Sequence, residues 1–465
     1  MDTPIMKGLK KYNDEENVRF HMPGHKGKDI FGLSDMIPEI DVTEVYGTDN
    51  LHNPKGIIKE AQEKASQIYG TKNTFFSVNG TTAGIYAAIT AVTKPGDEIL
   101  VQRNCHKSVY NAMVLGRLKC NYIYPRYDEK NNILNVIESQ NIEDILKENK
   151  EIKAVVITYP SYFGICSDIE NIAEVVHKHD RILIVDEAHG SHLIFNESLP
   201  ISSVESGADI VIQSTHKTLP SYTQSSMVHI ISDRIDRERM KKMMTVYQST
   251  SPSYILMSSL DMAMGYMENK GKYRLNKVLD YIDEFNHKVS KLDGIKIFTG
   301  EREYNFDKTK ILIRATDIGL TGDKLENILR EEYNIQLEMA DLFYGLAMSS
   351  VLNEKEDFER LYKALKDISE KYKDNFIDKP IVNIKYIYPK SAMPIYEAFN
   401  LDSRQIYLSE SKGEISADYI IPYPPGVPLL APGEKITKGI IEYINEIQKS
   451  NIEILGLNKG KISVI

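Results

Sequence analysis

The chain has 465 residues, 42% of them hydrophobic and 26% charged, with a formal net charge of −9. That length exceeds one small core and implies a large domain with smaller ones attached. The acidic balance gives no reason to expect nucleic acid or an anionic membrane as a partner, and no apolar run reaches the roughly 18 residues a membrane span needs. Three cysteines (Cys105, Cys120 and Cys166) share no metal-like spacing, and their odd number argues against a disulfide framework. The N-terminus lacks the basic-then-apolar pattern of a signal peptide, so the expected location is the cytoplasm.

In chain order, the first 30 or so residues read as polar and irregular, broken by Pro23, Gly24 and Gly27. From about 60 to 240 short apolar runs alternate with helical patterns. Residues 97–101, 120–124, 154–158, 182–185 and 210–212 read as strands, with helices over 138–148 and 168–179 between them. Near-continuous apolar strands separated by helices imply a mostly parallel sheet covered on both faces, with ligands at the carboxyl ends of its strands. A long helical stretch over 254–290 follows, and from about 295 the pattern becomes a smaller α+β region. The last 90 residues carry Pro422-Tyr423-Pro424-Pro425-Gly426-Val427-Pro428 and a final helix near 434–449. The boundaries drawn from this pattern are 1–30, 31–292, 293–375 and 376–465, and no internal repeat is visible.

The chemistry concentrates in two segments. Asp186 ends an apolar strand in Val185-Asp186-Glu187-Ala188-His189-Gly190, and Lys217 follows in Ser214-Thr215-His216-Lys217. A lysine amine that bonds a cofactor aldehyde, with a carboxylate that keeps a pyridine nitrogen protonated, is the arrangement pyridoxal 5'-phosphate requires. Asn79-Gly80-Thr81-Thr82 opens an Ala-rich helix, where backbone N–H groups and hydroxyls suit a phosphate, although threonine also caps helices routinely. His106, in Arg103-Asn104-Cys105-His106-Lys107-Ser108, follows a strand and can stack on a flat ring or simply bond within its loop. The hydroxyl cluster at 248–254 includes Thr250 and offers either a helix cap or further phosphate donors. His21 and His25 flank Pro23-Gly24, but no carboxylate or cysteine completes a zinc set, so no metal is expected.

Together with Asp49-Asn50-Leu51-His52 and Pro432-Gly433-Glu434, these segments resemble the Orn/Lys/Arg decarboxylases, aspartate-aminotransferase-like (fold type I) pyridoxal-phosphate enzymes, along nearly the whole chain. The likeness is to the short biosynthetic-type members. It implies that Lys217 carries the cofactor, Asp186 holds its ring nitrogen and His106 stacks on its face. Thr81, Thr82, Ser214 and His216 are implied phosphate contacts, with Thr250 reaching the phosphate of a neighbouring subunit in an obligate homodimer with shared active sites. The implied reaction is decarboxylation of a basic amino acid. Arginine, giving agmatine, is favoured by the short form, with lysine and ornithine close behind. His216 and Lys217 are the candidate proton donors to Cα, and His189 and Glu434 the candidate substrate contacts. The competing readings are an aminotransferase or a C–S or aldol lyase on the same Asp186 and Lys217, and a catalytically silent pyridoxal-phosphate-binding protein. An aminotransferase of this fold usually carries an arginine clamp late in the chain, and no arginine-centred motif stands out after 330.

Overall fold

The structure is a computed structural model that describes residues 3–301, 304–375, 386–423 and 426–465. The 375/376 boundary and the Pro424-Pro425 pair of the proline-rich motif lie at or outside the limits of the described residues.

Seven strands form the central sheet: β1 (Asn73–Ser77), β2 (Glu98–Gln102), β3 (Lys119–Ile123), β4 (Ile152–Thr158), β5 (Ile182–Asp186), β6 (Ile210–Gln213) and β7 (Ser226–Ile230). Their order is β1-β7-β6-β5-β4-β2-β3, and β7 alone runs antiparallel to its neighbours. The near-continuous apolar runs arise because both faces are covered. Leu100, Val155, Ile157, Leu183, Val185 and Val211 enter one core, and the alternating Ile99, Val101, Val156, Ile184 and Ile212 enter another. The carboxyl ends of β2, β4, β5 and β6 therefore share one edge, and the end of β1 joins them because two antiparallel steps restore its direction.

A second sheet holds β8 (Lys296–Phe298), β9 (Lys310–Arg314), β10 (Met339–Ala340) and β11 (Gly345–Met348) in the order β8-β9-β11-β10, all antiparallel. The C-terminal part packs a core of its own, in which Ile440 and Ile444 of helix Lys438–Ile447 meet Leu430, Ile462 and Val464.

Three expectations need correction. The first 30 residues are not irregular, because Pro4–Asp14 is a helix with Pro in its first turn, and Val18–Phe20 pairs in parallel with Ile335–Leu337. The 254–290 stretch is two helices, Tyr254–Tyr266 and Lys272–Val289, joined by a wider π turn at Met267–Gly271. The last helix starts at Lys438, since the Thr437 hydroxyl caps Ile440 N at 3.3 Å, while Glu434–Lys435 is a strand paired with Lys390–Ser391.

Candidate active site

The shared strand edge opens into a cavity of about 200 Å³ lined by Thr81, His106, Asp186, His189 and Lys217 among others. Each arrives on a different element. Asp186 is the last residue of β5, and Lys217 sits on the short helix Thr215–Thr218 that follows β6. His106 precedes helix Lys107–Gly116 after β2, and Thr81 opens helix Gly80–Val92 after β1.

The N-terminal Pro-Gly motif braces the lysine helix. Gly24 N donates to His216 O at 2.7 Å, and a Cβ on Gly24 would lie 2.4 Å from Leu219 O. Only glycine allows that approach.

Burial controls the charges. Asp186 is 3% exposed, and among the described residues its carboxylate accepts only the N–H of Ala188, at 3.2 Å. Desolvation raises its pKa, and the Lys217 charge opposes the rise. Lys217 is pushed down by burial and pulled back by Asp186. Its Nζ lies 3.0 Å from His189 Nε2, whose ring is held neutral by burial and by the neighbouring lysines, so the imidazole lone pair is the acceptor. The His189 ring packs 4.5 Å from that of Tyr162. His106 is pushed down to about 3 by burial, with Lys217 adding to the effect. Its Nδ1 accepts the N–H of Ser108 at 3.2 Å, which places the proton of this neutral ring on Nε2.

The donors fit pyridoxal phosphate. Gly80 turns with φ +70° and no side chain caps the helix it opens, leaving N-terminal amides for an anion, while Thr81 and Ser214 hydroxyls meet at 2.8 Å beside them. Thr158 Oγ1 and His189 Nδ1, both buried on residues of the cavity wall, have no hydrogen-bond partner among the described residues.

Other expected site residues lie elsewhere. The His216 ring is bonded through Nδ1 to Ser225 O at 2.7 Å and stands outside the cavity lining. Thr82 and Thr250 are exposed and do not line the cavity either. Glu434 as a substrate contact is corrected. It is 1% exposed and does not line the cavity, and its carboxylate is paired with Arg103 at 2.8 and 2.9 Å and accepts Ala431 N at 2.7 Å.

Cavity residues that sequence reasoning missed include Tyr162, Asp341, Tyr386 and Tyr443. None stands in a motif, and three are tyrosines among 28, so the sequence carried no signal that could single them out.

Comparison with known proteins agrees with the fold and extends it. The family model described as Orn/Lys/Arg decarboxylase, major domain, matches residues 3–312, and that of the C-terminal domain matches 384–460. The arginine decarboxylase of Bacillus subtilis (strain 168) is 33% identical over 100% of this chain and 97% of its own length. That of Bacillus anthracis is 33% identical over 98% of this chain and 95% of its own. The lysine decarboxylase LdcA of Pseudomonas aeruginosa is 24% identical over 95% of this chain and 75% of its own. Among solved structures, the Francisella novicida lysine decarboxylase superposes with a TM-score of 0.79 at 22% identity, covering 99% of this chain and 80% of that one. Alanine–glyoxylate aminotransferase from Nostoc sp. gives 0.59 at 16% identity, covering 75% of this chain and 95% of that one. The architecture is that of the fold type I pyridoxal-phosphate enzymes. With two family models that together match most of its length and relatives alike from end to end, the chain belongs to the Orn/Lys/Arg decarboxylase family and is a decarboxylase of that family.

Proposed function

We propose that the protein binds pyridoxal 5'-phosphate and decarboxylates L-arginine to agmatine and CO₂. The observation that carries the chemistry is a buried carboxylate, Asp186, and a desolvated lysine, Lys217, in one cavity at the carboxyl edge of the sheet. The choice of arginine is supported by the names of the full-length Bacillus relatives.

In this reading Lys217 would hold the cofactor covalently and Asp186 would serve its ring nitrogen. His106 would pack on the ring, and the Gly80 turn with Thr81 and Ser214 would receive the phosphate. Pyridoxal phosphate supplies an aldehyde that captures the substrate amine and a ring that accepts the electron pair left by departing CO₂. Burial lowers the proton affinity of Lys217 and so favours the free amine that aldehyde chemistry needs. His189 Nε2, at 3.0 Å, accepts a hydrogen bond from Nζ and keeps the amine aimed into the cavity. Because His216 is committed to Ser225 O, Lys217 is the better placed of the two candidate proton donors to Cα. The apolar walls, among them Ile85, Leu134 and Leu429, limit water in the part of the cavity where the substrate would react.

A homodimer is part of the proposal. Thr250 is exposed and outside its own cavity, free to serve a second copy, and Ile5, Met6, Val45 and Tyr46 are 78%, 62%, 56% and 107% exposed. Apolar groups that bare favour a partner surface. The three cysteines are free, in keeping with a reducing, cytoplasmic setting.

The test is mass spectrometry of products after incubating the cofactor-loaded protein separately with arginine, lysine and ornithine. Agmatine formed by the wild type and not by Lys217→Ala is the expected result. Cadaverine or putrescine in place of agmatine would correct the substrate, and no amine from any of the three would sink the reaction. Sedimentation of the same sample as a monomer would overturn the dimer.

A further inference from the structure

Only two carboxylates line the cavity among the described residues, Asp186 and Asp341. Asp186 is the partner of the ring nitrogen in the function proposed above, which leaves Asp341 without an assigned task. It follows β10 and so enters from the second sheet, whereas Asp186 and Lys217 come from the first.

The turn that carries Asp341 is tightly fixed. Its Oδ1 accepts the N–H groups of Phe343 at 2.7 Å and Tyr344 at 2.6 Å, and its own N–H donates to Tyr344 O at 2.9 Å. All the hydrogen bonds its side chain makes to described residues therefore fall on Oδ1, and Oδ2 has no such partner. Arg314 acts on it electrostatically, yet the Arg314 guanidinium donates to Thr316 Oγ1 at 2.7 Å and forms no ion pair with Asp341 among the described residues. Burial raises the pKa of this carboxyl to about 6. A rigid, half-satisfied, desolvated carboxylate is a receptor waiting for a cation.

The surrounding walls select the kind of cation. Tyr386 and Tyr443 line the same cavity, their rings 6.1 Å apart and nearly perpendicular at 81°. Tyr386 is itself backed by Tyr388 at 5.0 Å and Tyr127 at 6.0 Å. Aromatic faces beside a carboxylate suit a planar, weakly hydrated guanidinium, which pairs with the oxygen and stacks on the rings. Other acidic side chains nearby are committed. Glu338 accepts Tyr162 OH at 2.9 Å and Met22 N at 2.7 Å, and Glu434 is bound to Arg103.

We propose that Asp341, flanked by Tyr386 and Tyr443, is the receptor for the guanidinium end of the substrate. The proposal rests on the arginine reading above, and adds to it the residue that holds the side chain while the α-amine lies at the Lys217 end of the cavity. Asp341→Asn keeps the oxygen that caps the turn and replaces the charged, unbonded Oδ2 by a neutral NH2 that cannot accept from a guanidinium.

The test compares wild-type, Asp341→Asn and Tyr443→Leu holoenzymes, each first shown to carry cofactor by its absorbance. The dissociation constant of agmatine is measured by calorimetry, and KM for arginine from CO₂ release. Agmatine has the guanidinium but no carboxylate, so its binding reports the far end of the site. Asp341→Asn should weaken agmatine binding about 100-fold and raise KM by a similar factor, with kcat changed far less. Tyr443→Leu, which leaves the turn untouched, should weaken agmatine about tenfold. Agmatine binding within about twofold of wild type in Asp341→Asn overturns the assignment while the decarboxylase reading stands. If Asp341→Asn fails to load cofactor, unchanged agmatine binding in Tyr443→Leu overturns it instead. Wild-type enzyme that releases no CO₂ from arginine overturns the proposed function, and the assignment with it.

Discussion

Arg103 and Glu434 form a buried ion pair, Nη2 to Oε2 at 2.8 Å, with side chains 1% and 2% exposed. The guanidinium also donates to the backbone oxygens of Pro428 at 2.8 Å and Leu429 at 3.2 Å, and to Tyr110 OH at 2.6 Å. Arg103 thus ties the loop that carries His106 to the C-terminal segment whose Val427 and Leu429 line the cavity. Lys107 N donates to Gly426 O at 3.1 Å and strengthens the same seam.

Removing one partner leaves the other buried and unpaired, so Arg103→Met or Glu434→Leu should each cost about 3–5 kcal/mol. The double variant should recover much of that loss, because neither charge then remains in the interior. Denaturant unfolding of the three variants checks this. A double variant as unstable as the sum of the singles would mean no coupling between the two residues and would overturn the claim that each single change orphans the other charge.

Gly24→Ala should disturb the site from a distance. The added Cβ would meet Leu219 O at 2.4 Å and Leu219 N at 2.8 Å, atoms of a backbone that cannot rotate away. The Thr215–Thr218 helix must then shift, at a cost of about 1–3 kcal/mol. Activity should fall more than stability, since Lys217 sits on that helix; equal turnover in Gly24→Ala and wild type would refute the brace.

Asp186→Asn separates function from folding. Losing the carboxylate should lower the rate of CO₂ release about a hundredfold or more, since it removes the charge that stabilises the protonated ring. The apo protein should be no less stable, because a desolvated carboxylate with one hydrogen bond is replaced by a neutral group of the same shape. Thermal melts of apo protein beside activity of the loaded enzyme supply both readings.

His229 gives a pH signature. It is fully buried, bonded to Thr74 Oγ1 at 2.8 Å and Gln213 Oε1 at 3.3 Å, and burial pushes it down to about 3. Below its ordinary 6.5 the unfolded chain binds a proton that the folded chain refuses, so this residue's contribution to stability falls as pH drops from 6.5 toward 3. The slope is about 1.4 kcal/mol per pH unit at most. Carboxyls such as Glu187, raised to about 7, act in the opposite sense over part of that range, so total stability would mask the effect. The difference between wild type and His229→Gln isolates it. That difference should move in favour of the variant on acidification, and a pH-independent difference would rule the linkage out.

Much of the fold was legible because burial on two faces writes apolar runs into the chain. The stretches at 154–158, 182–185 and 210–212 lie within β4, β5 and β6, each with an edge or two added. Residues 1–30 misled because helix Pro4–Asp14 buries none of its residues in this chain. Its apolar Ile5, Met6 and Leu9 are exposed and set among three lysines, so a stretch this short reads as polar although it is helical.

The sequence by itself determined the strand-helix alternation and the pairing of Asp186 with Lys217, because both follow from short-range pattern: an apolar run, then the polar residue that ends it at the sheet edge. Tertiary structure alone decided which carboxylates face the cavity. Glu434 and Asp341 are acidic residues of the same kind in sequence, about 90 positions apart. Arg103, more than 300 positions before Glu434, takes up both of its oxygens, while the turn at Phe343 and Tyr344 occupies one oxygen of Asp341 and leaves the other unbonded among the described residues. Which lone pairs remain for a substrate depends on partners brought together by folding, and no local pattern records them.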